Sequence, residues 1–246
     1  MIKRLFGKVV EEEWPIWRLL VVFFISFLGA IVAVILYFFG PSWDQMRGLS
    51  YGPTARQSDI RAEVGGTLFA IPASYTRYGR SRWESEADSL ELHALLPEMS
   101  GYTADQAAAF TNLEDNSQLL LISILPVEKN LTPSVLLSDV FAPQLSSRLE
   151  TLANGLRKSA FLADSSYAAS LFFQPNMATP ETLGSPFYIC ATETSGAMWC
   201  TGRILIGRTA QAVFRFPYRY LDDWQAINQG LTELLRSFRA EARLAK

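Results

Sequence analysis

The longest apolar run of the chain covers residues 19–40 and contains no charged residue. At about 1.5 Å per residue, a helix of this length crosses the ~30 Å hydrocarbon layer of a bilayer. Trp14 and Trp17 precede the run and Trp43 follows it, and tryptophan is enriched at both interfaces of a membrane. The pattern therefore predicts a single transmembrane anchor over residues 19–40.

The basic residues around this run predict its orientation. Four Lys or Arg residues precede it and two follow within the next 20 residues: Lys3, Arg4, Lys8 and Arg18 before it, Arg47 and Arg56 after it. Because cytoplasmic flanks carry the Lys/Arg excess, we expect a cytoplasmic tail at 1–18 and a periplasmic domain on a bacterial inner membrane. A cleaved signal peptide fits less well, because the run exceeds the roughly 7–15 apolar residues of a signal-peptide core.

Small residues within the run predict a contact with a second membrane helix. Ser26 and Ala30 are four positions apart, as are Gly29 and Ala33, and this spacing lets two membrane helices approach closely. On this interpretation the protein forms an oligomer through its transmembrane helix. The alternative is that small residues are simply common in such helices.

Beyond the run, the hydrophobic pattern changes to short segments. Residues 41–66 are rich in Gly, Pro, Ser and charged residues, which is typical of a linker. Alternating or continuous apolar segments then predict strands, with Pro72 favouring an edge position for the first. These predicted strands are 67–75, 89–96, 118–127, 170–174, 187–192, 197–206 and 211–217.

Helices are predicted between and after these strands. A capping-box pattern begins one at 103–110, Thr132 followed by Pro133 begins another, and helical spacing continues over 145–156. The last helix is predicted to begin at an N-cap on Asp222, and its apolar stripe comprises Trp224, Ile227, Leu231, Leu234, Leu235 and Phe238. Without regular βαβ alternation, residues 67–246 are predicted to form an extracytoplasmic α+β domain with a mainly antiparallel sheet.

Cys190 and Cys200, the two cysteines of the chain, flank a predicted hairpin turn. A three-residue loop takes a positive φ at its last position, where Gly196 stands. Pairing Glu193 with Ala197 then places the cysteines opposite each other, at a Cβ separation of about 4.5–5.5 Å that a disulfide can close after small adjustment. A periplasmic domain therefore predicts a disulfide, whereas two buried free cysteines are the alternative for a cytosolic domain.

The last quarter of the chain and the anchor together resemble a loose group of uncharacterised single-pass bacterial inner-membrane proteins. The resemblance is carried by the paired cysteines, by Phe-Arg-Phe at 214–216 and by Leu-Asp-Asp-Trp at 221–224. It implies a location in the envelope and no particular activity.

Composition and motifs point away from an enzyme. The formal net charge of −2 gives no general attraction to nucleic acid. His93 is the single histidine, which makes a histidine metal site or a Ser–His–acid triad difficult to build. The carboxylates of Glu84, Glu86, Asp88 and Glu91 lack the spacing of a calcium loop, so a solvated polar face is the simpler interpretation. We expect no metal and no cofactor.

A basic and aromatic segment is the candidate ligand-binding site, and it contains Arg77, Arg80, Arg82 and Trp83. Guanidinium groups bind phosphate or carboxylate through paired hydrogen bonds, and aromatic rings stack on ligands. A solvated loop whose arginines pair with the nearby acidic residues is the alternative. A second group of the same kind lies at 215–220.

Taken together, these patterns predict a non-enzymatic, membrane-anchored interaction or assembly protein of the bacterial envelope. Its expected partners are the lipid bilayer and a membrane or periplasmic protein, with no nucleic acid. The alternative is a module that binds an anionic glycan, lipid headgroup or peptide, and a more remote one is a membrane-anchored hydrolase.

Overall fold

A computed structural model describes most of the chain, in five stretches: 16–39, 50–82, 86–128, 131–176 and 187–239. The chain divides into two compact units, Met1–Met46 and Arg47–Lys246. In the first unit, helix α1 covers Ile16–Phe39. Among the described residues, no helix has both the length and the apolar character that crossing a bilayer requires.

The second unit is built mainly of antiparallel strands. A two-stranded ribbon pairs β1 with β2, and an eight-stranded sheet has the order β3-β4-β10-β9-β8-β7-β6-β5. All of its neighbouring strands are antiparallel. The strands are β1 Asp59–Val64, β2 Thr67–Pro72, β3 Leu90–Leu95, β4 Leu119–Pro126, β5 Leu145–Thr151, β6 Leu156–Phe161, β7 Leu171–Pro175, β8 Tyr188–Thr192, β9 Met198–Ile206 and β10 Ala210–Pro217.

Helical segments are fewer. Helix α2 is a single turn, Pro133–Val135, that continues as a π-helix over Leu136–Phe141. Helix α3 covers Trp224–Phe238. The predicted α+β class with a mainly antiparallel sheet is therefore confirmed.

Helix α3 covers one face of the sheet and forms the main core with it. Its predicted apolar stripe is buried except for Leu234, which is half-buried. The residues facing it on the central strands include Ile122, Ile204 and Phe214. Gly202 lies among them. A Cβ at this position would come within 2.6 Å of the Phe214 ring, so the glycine leaves the space that the ring occupies.

The hairpin of β8 and β9 forms as predicted. Glu193 donates its backbone N–H to the carbonyl of Ala197 (2.8 Å), and Gly196 has φ +88°. Cys190 therefore lies opposite Cys200, and the two sulfurs are bonded at 2.02 Å. The predicted disulfide is confirmed in the structure, and both cysteines are fully buried in the core against α3.

The helix predicted at 145–156 is wrong, because this segment forms β5, a turn and the start of β6. Asn154 and Gly155 make the turn: Gly155 has φ +81°, and Leu152 donates to the carbonyl of Leu156 (2.8 Å). The loop has three residues, 153–155, with glycine at the positive-φ position that such loops require, and this turn prevails over the helical spacing of the apolar residues.

Two smaller helix predictions also need correction. The helix expected at 103–110 is a 3₁₀ turn over Ala104–Gln106 followed by further turns. Asp222 does not cap α3; its carboxylate accepts a hydrogen bond from Asn154 Nδ2 (2.9 Å), and Asp223 is the N-cap residue. The N-cap predicted at Thr132 is confirmed, since its hydroxyl accepts from the N–H of Val135.

Candidate interaction surface

The arginines of the predicted ligand site lie beside the outer edge of β3. Thr76 forms a bridge with Leu92, and Arg77 donates its backbone N–H to the carbonyl of Glu91 (3.1 Å). The segment therefore extends the sheet beyond β3 by a short stretch of pairing. Trp83 lies outside the described residues.

The three arginines of this segment have different surroundings. Arg82 Nη1 donates to the carbonyl of Gly52 (2.8 Å) and to Thr76 Oγ1 (3.2 Å). Arg77 lies over the ring of Tyr78 at 5.2 Å, and Arg80 is exposed. Arg82 thus has a structural role, because it ties the segment around Gly52 to the sheet edge.

His93 lies on β3 in a box of aromatic rings. The ring centroids of Phe110, Tyr51 and Tyr102 are 4.6, 6.1 and 6.3 Å from the imidazole, and the side chain is fully buried. Burial, and to a smaller extent the positive charge of Arg77, lowers the pKa of His93 to about 4. The imidazole is therefore neutral at physiological pH and acts as a packed side chain.

The carboxylates near the sheet edge are not gathered into a cation site in the described residues. Glu86 and Asp88 are exposed, Glu91 accepts a hydrogen bond from Ser123 Oγ (2.7 Å), and Glu84 lies outside the described residues. Throughout the described ranges, no group of three His, Cys, Asp or Glu residues could hold a metal ion.

The sheet face opposite α3 remains partly open over β4, β10 and β9. Strand alternation directs to this face a set of half-buried or exposed residues of β4, β9 and β10 that sequence reasoning did not single out as a surface. We call this set the open face; it comprises Leu121, Ser123, Leu125, Thr201, Arg203, Leu205, Val213 and Arg215.

Two small apolar clusters lie on the same side of the sheet as the open face. One packs Phe110 against Leu119 and Trp199, and the other packs Phe141 against Phe172 and neighbouring aromatic residues. These clusters cover the sheet toward β3 and toward β6–β8, respectively. The strand centres between them are left accessible.

The open face combines apolar side chains with two arginines. Val213 lies opposite Ser123 and Arg203, and Arg215 lies opposite Leu121 and Thr201. The cross-strand neighbours of both arginines are therefore short or apolar residues. Burial lowers the pKa of Arg203 from its ordinary value, which indicates a guanidinium that has lost part of its hydration.

Arg215 connects the open face with the disulfide hairpin. It forms an ion pair with Glu193 and lies over the ring of Trp199 at 5.9 Å. The second predicted basic and aromatic group is thus divided: Arg215 belongs to the open face, whereas Arg219 stacks on Tyr220 at 4.8 Å in the 3₁₀ segment Tyr218–Asp223.

The sequence matches no protein-family model, and no curated protein matches it. Among solved structures, the chain is similar to an immunity protein of the Stenotrophomonas maltophilia type IV secretion system. The two structures superpose with a TM-score of 0.55 at 13% sequence identity, over 78% of this chain and 99% of that chain. This likeness shows a shared fold.

Proposed function

We propose that this protein is a non-enzymatic interaction protein of the bacterial envelope that binds a protein toxin and keeps it inactive. The observation that carries the proposal is the fold shared with a secretion-system immunity protein, which extends over 99% of that chain. A likeness that includes nearly the whole neighbour supports a common mode of action more strongly than a match to one motif would.

The open face is the surface that we propose for the partner. Arginine and aromatic residues are enriched at protein interfaces, and this face presents Arg203 and Arg215 beside apolar strand residues and next to Trp199. A half-buried guanidinium forms strong paired hydrogen bonds with a carboxylate. The partner surface is therefore expected to carry Asp or Glu residues around an apolar patch.

The location that we propose for this interaction is the periplasmic side of the inner membrane. The uncharged run at 19–40 supports a membrane anchor, and the Lys/Arg excess before it supports a cytoplasmic N-terminus. The bond between Cys190 and Cys200 is consistent with an oxidising compartment. An anchored domain would intercept a toxin as it reaches the membrane.

Site-specific photo-crosslinking in living cells tests the proposed surface. A photoreactive phenylalanine analogue replaces Leu205, which is 50% exposed on the open face. The matched control carries it at Leu68, which is 47% exposed on the β1–β2 ribbon. We expect one protein to be captured from position 205 and not from position 68; equal capture from both positions would remove the open face as the binding surface.

A growth assay tests whether the captured protein is a toxin. We expect that producing it alone in the periplasm arrests growth and that co-producing this chain restores growth. Val213→Glu places a negative charge among acidic partner groups and should abolish the rescue, while the melting temperature of the variant stays close to that of the wild type. A captured protein without effect on growth would contradict the immunity function.

A further inference from the structure

Strand β5 ends the eight-stranded sheet in the part of the chain that the structure describes. Residues 147–151 are exposed, and the side chain of Leu149 is 58% accessible. Exposed edge strands can pair with another strand, and proteins commonly protect them. The sequence of β5 determines which kind of strand can pair with this edge.

The hairpin geometry fixes the direction of the backbone groups on β5. Leu152 donates to Leu156 (2.8 Å) at the turn, and Glu150 lies opposite Lys158 two residues further along. Because hydrogen-bonded and non-hydrogen-bonded pairs alternate in an antiparallel ladder, Glu150 directs its N–H and C=O toward β6. Leu149 and Thr151 therefore direct theirs away from the sheet.

The accessible ladder begins at Leu149. The register of β5 on β6 shifts between Leu145 and Leu149, and within this irregular stretch Arg148 donates its backbone N–H to Ser146 Oγ (3.2 Å). Only the regular part, from Leu149 to Thr151, offers outward backbone groups in strand geometry.

The side chains around Leu149 are complementary to the same side chains of a second copy of the chain. When two copies of β5 pair antiparallel about a two-fold axis at Leu149, this leucine meets its copy, and Arg148 meets Glu150 of the second copy on each side of the axis. In any other register the outward-facing backbone groups of the two copies can pair only if the axis moves by a whole number of residues along the strand. Moving it by one residue places Arg148 opposite Arg148, or Glu150 opposite Glu150, and like charges opposite each other are destabilising.

We propose that β5 is a docking edge for a second copy of this chain, in the register centred on Leu149. This inference goes beyond the proposed function and does not depend on it. Two backbone hydrogen bonds join the leucines, and the charged side chains lie in the flanking non-hydrogen-bonded pairs, where side chains approach most closely. The pairing joins two eight-stranded sheets into one continuous antiparallel sheet.

A charge on the neighbouring strand supports this register. Lys158 Nζ lies 3.8 Å from Glu150 Oε2, and both side chains are partly exposed. In the pair, Glu150 therefore lies between Lys158 of its own chain and Arg148 of the second copy, so the charges alternate along the row. The contact area is small, and we expect weak, concentration-dependent association.

Cysteine cross-linking of the full-length protein in mild detergent tests the register. Both native cysteines are in the disulfide, so Leu149→Cys introduces the only free thiol, and pairing about the axis brings two of these thiols within disulfide distance. The control is Leu113→Cys on a loop, where the leucine is 50% exposed. We expect the Leu149→Cys dimer to form at least about ten-fold faster, because pairing raises the effective concentration of the thiols.

Charge reversal in the Leu149→Cys background separates specific pairing from random collision. Arg148→Glu alone and Glu150→Arg alone should each slow cross-linking on the order of ten-fold, because like charges then oppose each other twice. The double reversal should restore most of the rate, because it re-forms both charge pairs between the copies and loses only the attraction between position 150 and Lys158. Melting temperatures close to that of the parent show that the variants are folded.

Three results would overturn the proposal. The first is that Leu149→Cys cross-links no faster than Leu113→Cys, and the second is that the single charge reversals leave its rate unchanged. A third is that, in cells, the new thiol cross-links to a different protein and not to its own copy, which would assign the edge to a strand of that protein.

Discussion

At the scale of single residues, His93 is the clearest case of a side chain whose chemistry is set by its surroundings. The aromatic box that surrounds it excludes water, and burial lowers its pKa to about 4. In the unfolded chain the pKa returns to its ordinary value of about 6.5. Between these two values the unfolded state binds more protons than the folded state, so stability must rise with pH across this window.

We therefore predict an acid-dependent loss of stability that depends on this residue. As the pH falls from 6.5 to 4, the contribution of His93 to unfolding free energy should decrease by about 3 kcal/mol. Denaturant unfolding at several pH values measures the loss, and His93→Phe, or His93→Leu if the larger ring disturbs packing, should remove that part of the slope. Equal slopes in wild type and variant would show that the histidine does not titrate in this range.

At the scale of elements, the sequence predicts best where local signals and tertiary packing agree. The β8–β9 hairpin carries a turn glycine and apolar strands, and α3 carries one continuous apolar stripe, so both were predictable. The segment at 145–156 shows the opposite case, because Leu145, Leu149, Leu152 and Leu156 have helical spacing. In the structure Leu149 is exposed and Leu156 is buried, and the Asn-Gly turn decides the outcome.

The open face was not predictable from the sequence for a related reason. Its residues come from β4, β9 and β10, which are far apart in the chain and become neighbours only through the strand order. No local pattern contains that order. Arg215 was noted as part of a basic and aromatic segment, but its place beside Thr201 and Leu121 depends on pairing with two other strands.

The disulfide gives a prediction for the hairpin element. Closing a short loop lowers the entropy of the unfolded chain, which corresponds to about 2–3 kcal/mol of stability. Replacing Cys190 and Cys200 together by Ala, or reducing the wild type, should lower the unfolding free energy by that amount. Amides that exchange by global unfolding should all accelerate, and those of β8, β9 and β10 should accelerate further, because the bond lies in the core where these strands meet α3; equal acceleration in every strand would contradict this additional local effect.

In the molecule as a whole, toxin binding, membrane topology and pairing through β5 must be compatible with one another. A toxin-binding domain that acts in the periplasm requires that the residues after 40 cross the membrane, and the disulfide is then formed by the compartment in which the domain folds. The open face lies on β4, β10 and β9, and the β5 edge lies at the far end of the sheet, so one copy can use both surfaces at once. A pair of copies would present two open faces to toxins.

The topology of the chain in the membrane is the prediction on which this arrangement depends. A fluorescent protein that matures only in the cytoplasm, fused after Lys246, should remain dark, whereas alkaline phosphatase at the same position should be active. Deleting residues 19–40 supplies the matched control, because without the apolar run the chain stays in the cytoplasm and both signals should reverse. Bright fluorescence from the full-length fusion would place the domain in the cytoplasm, and the proposed encounter with a toxin on the periplasmic side would then be excluded.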